Sequence, residues 1–270
     1  MKKIEDGLVY YQFSYFERYY PRLRHVITTR IGGYSKRPFD TLNVGSHVGD
    51  DIEDVIKNRD LVCKKLGYTV DSIVAMKQSH GANVKAVDSS FKGRGARRWG
   101  DGIDDTDGIV TASRELILFT TAADCSMGMF YDPTQRVLAL AHSGWSGVIS
   151  GIFNKIVVTM ERDFHCERKD ILVGIGPTIC GKCYEIGDET VKMFQDKFPH
   201  YLGKIISTSR EGGRALDIVK ALELQLLEEG IGPDHIEVSG LCTACNTKEF
   251  YSYRLEKKDT GRLGIFAVMD

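Results

Sequence analysis

The sequence predicts an α+β fold built on mixed β-sheets. Two stretches, 148–160 and 215–230, have clear helical periodicity, and many short apolar runs bounded by turn residues surround them. The runs do not alternate strand by helix as a doubly wound parallel sheet would. No internal repeat, low-complexity segment or linker divides the chain, so its 270 residues are expected to form one domain, 1–270.

The elements follow in order. HVITTR at 25–30 reads as a strand, and the Gly-, Ser- and Asp-rich segment after it as a long irregular loop. Val55, Ile56, Val62, Cys63 and Leu66 fall at helical spacing, with Gly67 as the stop. IVAM at 73–76 and VKAV at 84–87 are short strands flanking QSHGAN. The polar, glycine-rich stretch 88–108 is expected to be a mobile loop or lid, or else a solvated connection. LILF at 116–119 and VLALA at 137–141 frame a hairpin region with a turn at Asp132-Pro133. One wide apolar helical face runs from Val148 to Met160. ILVGIG at 171–176, a helix at 188–198, a strand near 204–208, a helix at 215–230 and strands at 236–240 and 263–268 complete the chain.

Composition narrows the function. A formal net charge of −1 gives no global pull toward nucleic acid or an anionic membrane, so neither is expected as a partner. The start, MKKIEDGLVYYQF, lacks the apolar segment of a secretory leader. Seven cysteines without such a leader read as reduced thiols, and the expected location is cytoplasmic.

The stretch from Thr120 to Gly147 places Cys125 after one apolar run and His142 after another. His80, flanked by Gly81, follows a third. Strand ends that bring these side chains together allow two chemistries. Cys125 could be a nucleophile paired with a histidine. Alternatively, His80, Cys125 and His142 bind one metal through N, S and N, a set that suits Zn²⁺ and leaves a fourth position open. A His₂Cys set with a weak axial Met also describes a copper site, and Met127 and Met129 lie nearby. Zinc is the expected ion and Cu²⁺ the alternative. A laccase-type oxidase needs several coppers held mostly by histidine, and His25, His47, His165, His200 and His235 form no ligand cluster in sequence. Asp124 is a candidate for orienting a ligand.

A second constellation is C-x-x-C twice, Cys180 with Cys183 and Cys242 with Cys245. The four could form a structural zinc site or remain two reduced pairs. A thioredoxin-like role is disfavoured, because neither pair follows a strand and opens a helix. GIGP at 174–177 and GRG at 93–95 match no phosphate loop. Arg30, Lys77 and Arg59 are the basic residues expected near the trio, and the arginines of SYR at 252–254 and TGR at 260–262 have no assigned place.

Several motifs resemble one family in order along nearly the whole chain. They are TTR-x-GG-x-S near 28–35, LN-x-G-x-HVGD at 42–50, Q-x-HG at 78–81, D-G-x-V-T at 107–111, T-A-x-DC at 121–125, AH-x-GW at 141–145, GP-x-I at 176–179, CYE at 183–185 and C-T-x-C at 242–245. The chain is similar to the YfiH-like, laccase-domain-containing or polyphenol oxidase-like, family. The resemblance implies an α/β-containing fold of layered mixed sheets flanked by helices, similar to that of cysteine hydrolases. It implies a purine nucleoside phosphorylase that converts adenosine, inosine and S-methyl-5′-thioadenosine with phosphate to free base and ribose 1-phosphate, with adenosine deaminase activity. The implied catalytic metal ligands are His80, Cys125 and His142, and the N-terminal signature puts Arg30, Asn43 and His47 at the substrate. Ser146 and the segment 126–129 depart from the family pattern, with serine at 146 where the family carries arginine. The alternatives are a cysteine- or metal-dependent hydrolase editing a peptidoglycan precursor, a copper polyphenol oxidase, and a non-catalytic metal-binding interaction protein.

Overall fold

The apolar runs become strands of two six-stranded sheets packed against each other. The computed structural model describes residues 1–257 and 259–270. Strands run in chain order as β1 (Lys2–Glu5), β2 (Val9–Gln12), β3 (Leu23–Thr28), β4 (Ile73–Ala75), β5 (Val84–Ala86), β6 (Gly108–Thr111) and β7 (Ile117–Ala122). They continue as β8 (Ser126–Asp132), β9 (Val137–Ser143), β10 (Leu172–Ile175), β11 (Ile206–Thr208), β12 (Arg214–Leu216), β13 (Ile236–Val238) and β14 (Leu263–Met269). The helices are α1 (Ser14–Glu17), α2 (Ile52–Lys65), α3 (Trp145–Ser150), α4 (Ile152–Phe164), α5 (Asp188–Lys197), α6 (Leu202–Ile205), α7 (Ile218–Glu228) and α8 (Tyr253–Glu256).

The first sheet has the order β1-β2-β3-β14-β7-β4 and the second β13-β10-β8-β9-β6-β5. Both are mixed, since β4 with β7, β5 with β6 and β10 with β13 run parallel while their other pairings are antiparallel. This is the α+β class expected from the irregular element order.

Alternation along each strand explains the layers. On β9, Leu138 and Leu140 join the core between the sheets, while Val137, Ala139 and Ala141 join the core under the helices. On β14, Ile265 and Ala267 face the inter-sheet core, and Phe266 and Val268 pack with Val62, Cys63 and Leu66 of the α2 region. Central strands are therefore covered on both faces, which is why VLALA and LGIFAV read as unbroken apolar runs.

Three expectations need correction. First, 116–141 is not one hairpin region. β8 and β9 pair with each other, but β7 lies in the opposite sheet, so the chain changes sheets between Ala122 and Ser126. Second, the single helix expected from Val148 is two helices, because Gly151 at φ 70° caps α3 and turns the chain into α4. Third, 88–108 is neither a free lid nor a simple solvated connection. Gly93 N donates to Ile73 O, Ala75 N to Arg94 O and Ile103 N to Ala75 O, which tie the stretch to β4. Arg59, only 3% exposed, donates to the carbonyls of Gly95 and Ala96 at 2.8 and 2.7 Å and to that of Val44 at 2.8 Å.

His25 on β3 is buried and accepts a hydrogen bond from Phe13 N at Nε2, 2.8 Å away. Burial pushes its pKa down to about 3 from 6.5. Between those values the unfolded chain binds a proton that the folded chain refuses, so stability falls as pH falls through that window. The expected slope for this residue is about 1.4 kcal/mol per pH unit. Thermal unfolding from pH 7 to pH 4 should be shallower for His25→Gln than for the wild type.

Candidate active site

The site forms where the chain passes from one sheet to the other. Cys125 ends the crossover between β7 and β8, and His142 lies near the end of β9, paired in register with Met127. His80 sits in the turn between β4 and β5 with φ 62°, in the left-handed region that a histidine adopts only when held there. Gly144 packs so tightly that an added Cβ would lie 3.1 Å from Cys125 Sγ and 3.3 Å from the His80 ring.

One carboxylate positions two of the three residues, His80 through its backbone N–H and His142 through its ring. Asp107, fully buried, accepts backbone N–H bonds from Ser79 (3.1 Å), His80 (3.2 Å) and Gly81 (2.8 Å). These three successive amides form a nest around the carboxylate and fix the strained His80 turn. The same Asp107 Oδ1 lies 2.9 Å from His142 Nδ1. Burial opposes ionisation of Asp107, but His142 and the backbone donors outweigh it and hold its pKa at about 2. A carboxylate only accepts, so Nδ1 carries a proton, and Nε2 is left as the atom that acts as a ligand, or as a base, once it is deprotonated.

The ligand atoms of His80, Cys125 and His142 lie within 4.8 Å of one another. The imidazole rings meet edge to face at 84° with centroids 4.9 Å apart. Burial opposes ionisation of the Cys125 thiol, yet the two imidazoles bring its pKa down. Burial likewise opposes charge on His142, but Cys125 and the Asp107 hydrogen bond carry its pKa up. The pair thus favours thiolate beside imidazolium. A soft thiolate, two imidazoles and a carboxylate orienting one of them also make a donor set that fits a single Zn²⁺ or copper ion.

The expected orienting residue, Asp124, has a different place. Its oxygens accept from Thr243 Oγ1 (2.6 Å), Ser252 Oγ (3.1 Å) and Arg254 N (2.6 Å), so it ties the crossover to the 243–254 loop. Asp107 takes the expected role, and its only advance signal was position in the D-G-x-V-T motif. If Asp107 orients the histidine, Asp107→Asn should weaken metal binding by about 10–100-fold. Competition with a chromophoric chelator measures this.

The trio lines a cavity of about 400 Å³ together with His47, Gln78, Trp99, Tyr253 and Arg262. An adjoining cavity of about 480 Å³ shares His80, Cys125 and Tyr253 and adds Trp145, Ser146, Tyr184 and Arg254. Both are in the size range of small-molecule sites, roughly 300–1,000 Å³. Arg254 and Arg262, the arginines of SYR and TGR, thus belong to the cavity walls.

The three residues expected at the substrate separate. His47 lines the cavity near Trp99, with ring centroids 6.1 Å apart. Asn43 does not line it. Its Oδ1 accepts from Gly45 N and Arg262 N, 2.9 and 2.8 Å away, and so sets the backbone from which Arg262 projects. Arg30 lies in another cleft with Arg37, Asp40 and Glu256. Its guanidinium is taken up by Asp40 O at 3.0 Å, Thr247 O at 2.9 Å and Glu256 Oε1 at 2.7 Å. Lys77 also stays outside both cavities, ion-paired to Asp104.

Fold and site together define an α+β protein with an open three-donor His-Cys-His centre at a crossover between two mixed sheets. The chain belongs to the family described as multi-copper polyphenol oxidoreductase laccase, whose model matches residues 24–270. It is 36% identical over 240 residues to the purine nucleoside phosphorylase YlmD of Geobacillus stearothermophilus, covering 89% of this chain and 88% of that protein. The corresponding figure for the purine nucleoside phosphorylase YlmD of Bacillus subtilis is 33%, over 90% of this chain and 87% of the relative. The crystal structure of YlmD from Geobacillus stearothermophilus superposes with a TM-score of 0.92 at 33% identity, covering 99% of this chain and 98% of that one. The Bacillus licheniformis hypothetical protein YfiH gives a TM-score of 0.91 at 30% identity, with 97% and 96% covered. Among the described residues, the groups able to hold a metal are this trio and a cluster of Cys180, Cys183, Cys242 and Cys245, and neither includes a histidine beyond His80 and His142. No helix among the described residues is long and apolar enough to cross a membrane.

Proposed function

We propose that the protein is a purine nucleoside phosphorylase acting at a zinc centre held by His80, Cys125 and His142. The observation that carries this reading is the open donor trio lining a cavity whose walls combine arginine with aromatic rings. The full-length likeness to relatives named for this activity supports it. The substrates are adenosine, inosine and S-methyl-5′-thioadenosine, with phosphate as the co-substrate. A phosphate oxygen bonds to the anomeric carbon of the sugar, the glycosidic C–N bond breaks, and its electron pair leaves with the base. Bound Zn²⁺ would supply Lewis acidity to an oxygen at its open position.

The chain's own residues supply the rest. Asp107 keeps His142 in the tautomer and orientation that present Nε2 to the centre. Tyr253, Trp99 and Tyr184 offer aromatic faces suited to a planar purine. His47 contacts the substrate from the side of Trp99, whereas Asn43 and Arg30 act at one remove by holding loops. Ser146 provides no charge, but Arg254 lines the same cavity. Its guanidinium spans the Tyr184 ring, 5.0 Å from the centroid, and is braced by Glu185 O at 2.9 Å. We assign Arg254 to phosphate, because a guanidinium matches phosphate oxygens in pairs. Arg254→Ala should raise the KM for phosphate about 10–100-fold, the loss expected for a charged hydrogen bond of about 1.5–3 kcal/mol. The KM for nucleoside should change far less, and initial rates under varied phosphate test both statements.

The adenosine deaminase activity belongs to the same proposal and is read separately, as inosine formed from adenosine without phosphate. One observation favours a second reading, a cysteine hydrolase. The Asp107–His142–Cys125 series has the order of an orienting acid, a base and a thiolate. Chromatography of adenosine incubations separates these readings. Adenine released only with phosphate supports the phosphorylase, whereas turnover of an amide substrate by metal-stripped protein supports the hydrolase.

A further inference from the structure

We propose that Cys180, Cys183, Cys242 and Cys245 form a second metal site, a structural Zn²⁺ knuckle that joins the loop after β10 to the loop after β13. The four Sγ atoms lie within 4.8 Å of one another, with Cys183 and Cys245 at 3.6 Å. Zinc–sulfur bonds of about 2.3 Å in a tetrahedron place sulfurs about 3.8 Å apart. A disulfide would need about 2.05 Å. All four cysteines are free thiols.

The surroundings suit thiolates. Cys180 N donates to Cys242 Sγ at 3.2 Å, and Arg210 Nη2 donates to Cys245 Sγ at 3.1 Å. The first C-x-x-C is a tight turn closed by Cys183 N to Cys180 O at 2.9 Å, and the second leads into a turn held by Asn246, whose N donates to Thr243 O at 3.3 Å and whose Nδ2 donates to Cys242 O at 2.8 Å. Apolar packing here is slight. The local core is only Ile179, Cys242 and Ala244, with Cys180, Cys183 and Tyr184 against it. A core that small leaves the junction of two irregular loops without a strong hydrophobic hold, the circumstance in which a metal supplies folding energy. Four converging thiolates without histidine select a tetrahedral soft-metal ion, and the absence of an open position marks the site as structural. Each thiol that coordinates loses its proton to solvent.

The junction borders the active cavity. Ile179 N donates to Asp124 O at 3.0 Å, one residue from Cys125. Tyr184 follows Cys183 directly and lines the cavity with Arg254. The knuckle therefore braces the cavity wall that carries Tyr184 and Arg254 without belonging to the reacting centre.

The test uses the full chain, prepared under reducing conditions, incubated with Zn²⁺ and desalted. Iodoacetamide labelling is followed at each cysteine by peptide mass spectrometry, with and without a strong chelator. Cys180, Cys183, Cys242 and Cys245 should label about 100-fold or more slowly until chelator is added, given the tight binding of structural zinc sites. That protection should persist in Cys125→Ala, which empties only the other centre. Native mass spectrometry should show one zinc fewer in C183S/C245S than in the wild type. Equal labelling of Cys183 and Cys245 with and without Zn²⁺ in the wild type overturns the proposal, whether or not the double variant folds. The result does not depend on which reaction the enzyme catalyses.

Discussion

Cys125→Ala is expected to lower phosphorolytic kcat/KM by about 10³-fold or more, the equivalent of several kcal/mol of lost charge stabilisation. The substitution removes the one soft donor of the trio and leaves two imidazoles, of which only His142 is held by a buried carboxylate. Bound zinc should fall by one equivalent. Stability should change little beyond the lost metal, because Cys125 lies at the edge of the inter-sheet core and is partly exposed. Turnover with metal content measured on the same samples checks the prediction. A variant that keeps its metal and its rate removes Cys125 from the site.

The largest effect on stability is expected at Arg59. Among the described residues it is a buried cation with no carboxylate partner, and burial lowers its pKa to about 10. Its side chain donates to three main-chain carbonyls and to Ser46 Oγ at 3.1 Å, and lies over the Phe119 ring at 4.8 Å. Arg59→Met keeps the packing volume but strands those carbonyls, each at about 1–3 kcal/mol. The total expected loss is about 3–5 kcal/mol, or roughly 10 °C in melting temperature. Arg59→Lys, with one donor head, should recover only part of it. Thermal unfolding decides the point, and hydrogen exchange should show the 93–103 backbone opening first. A melting temperature within about 2 °C of the wild type would contradict this role.

Much of the fold was legible because its central strands are covered on both faces and read as continuous apolar runs. β9, β10 and β14 were visible for that reason, as were α2 and α7 with their glycine stops. β1 was not, because KKIE is largely exposed and carries no apolar alternation. β12, three residues running into α7, was absorbed into the helix it precedes. The sheet exchange at 123–125 was hidden as well, because Asp132-Pro133 is a local turn signal whereas sheet membership is set by long-range pairing. At the site, the trio could be read because soft ligands after strand ends are conspicuous. Asp107 could not, since an aspartate before a glycine reads first as a turn, and the five bonds of its carboxylate connect residues 26 to 35 positions away. Arg254 and Arg262 reach the cavity from the far end of the chain, and no local pattern announces that. Arg30 carried a plausible signature, yet its donors are consumed by its own loop and its neighbours.

Phosphate, at a metal held by His80, Cys125 and His142, is proposed to displace a purine from its sugar. The most direct test incubates zinc-replete protein with inosine, with and without inorganic phosphate, and quantifies hypoxanthine and ribose 1-phosphate, with Cys125→Ala alongside. Both products are expected in equal amounts, only when phosphate is present and only in the wild type. Base release without phosphate, equal release by Cys125→Ala, or no release under either condition would contradict that reaction.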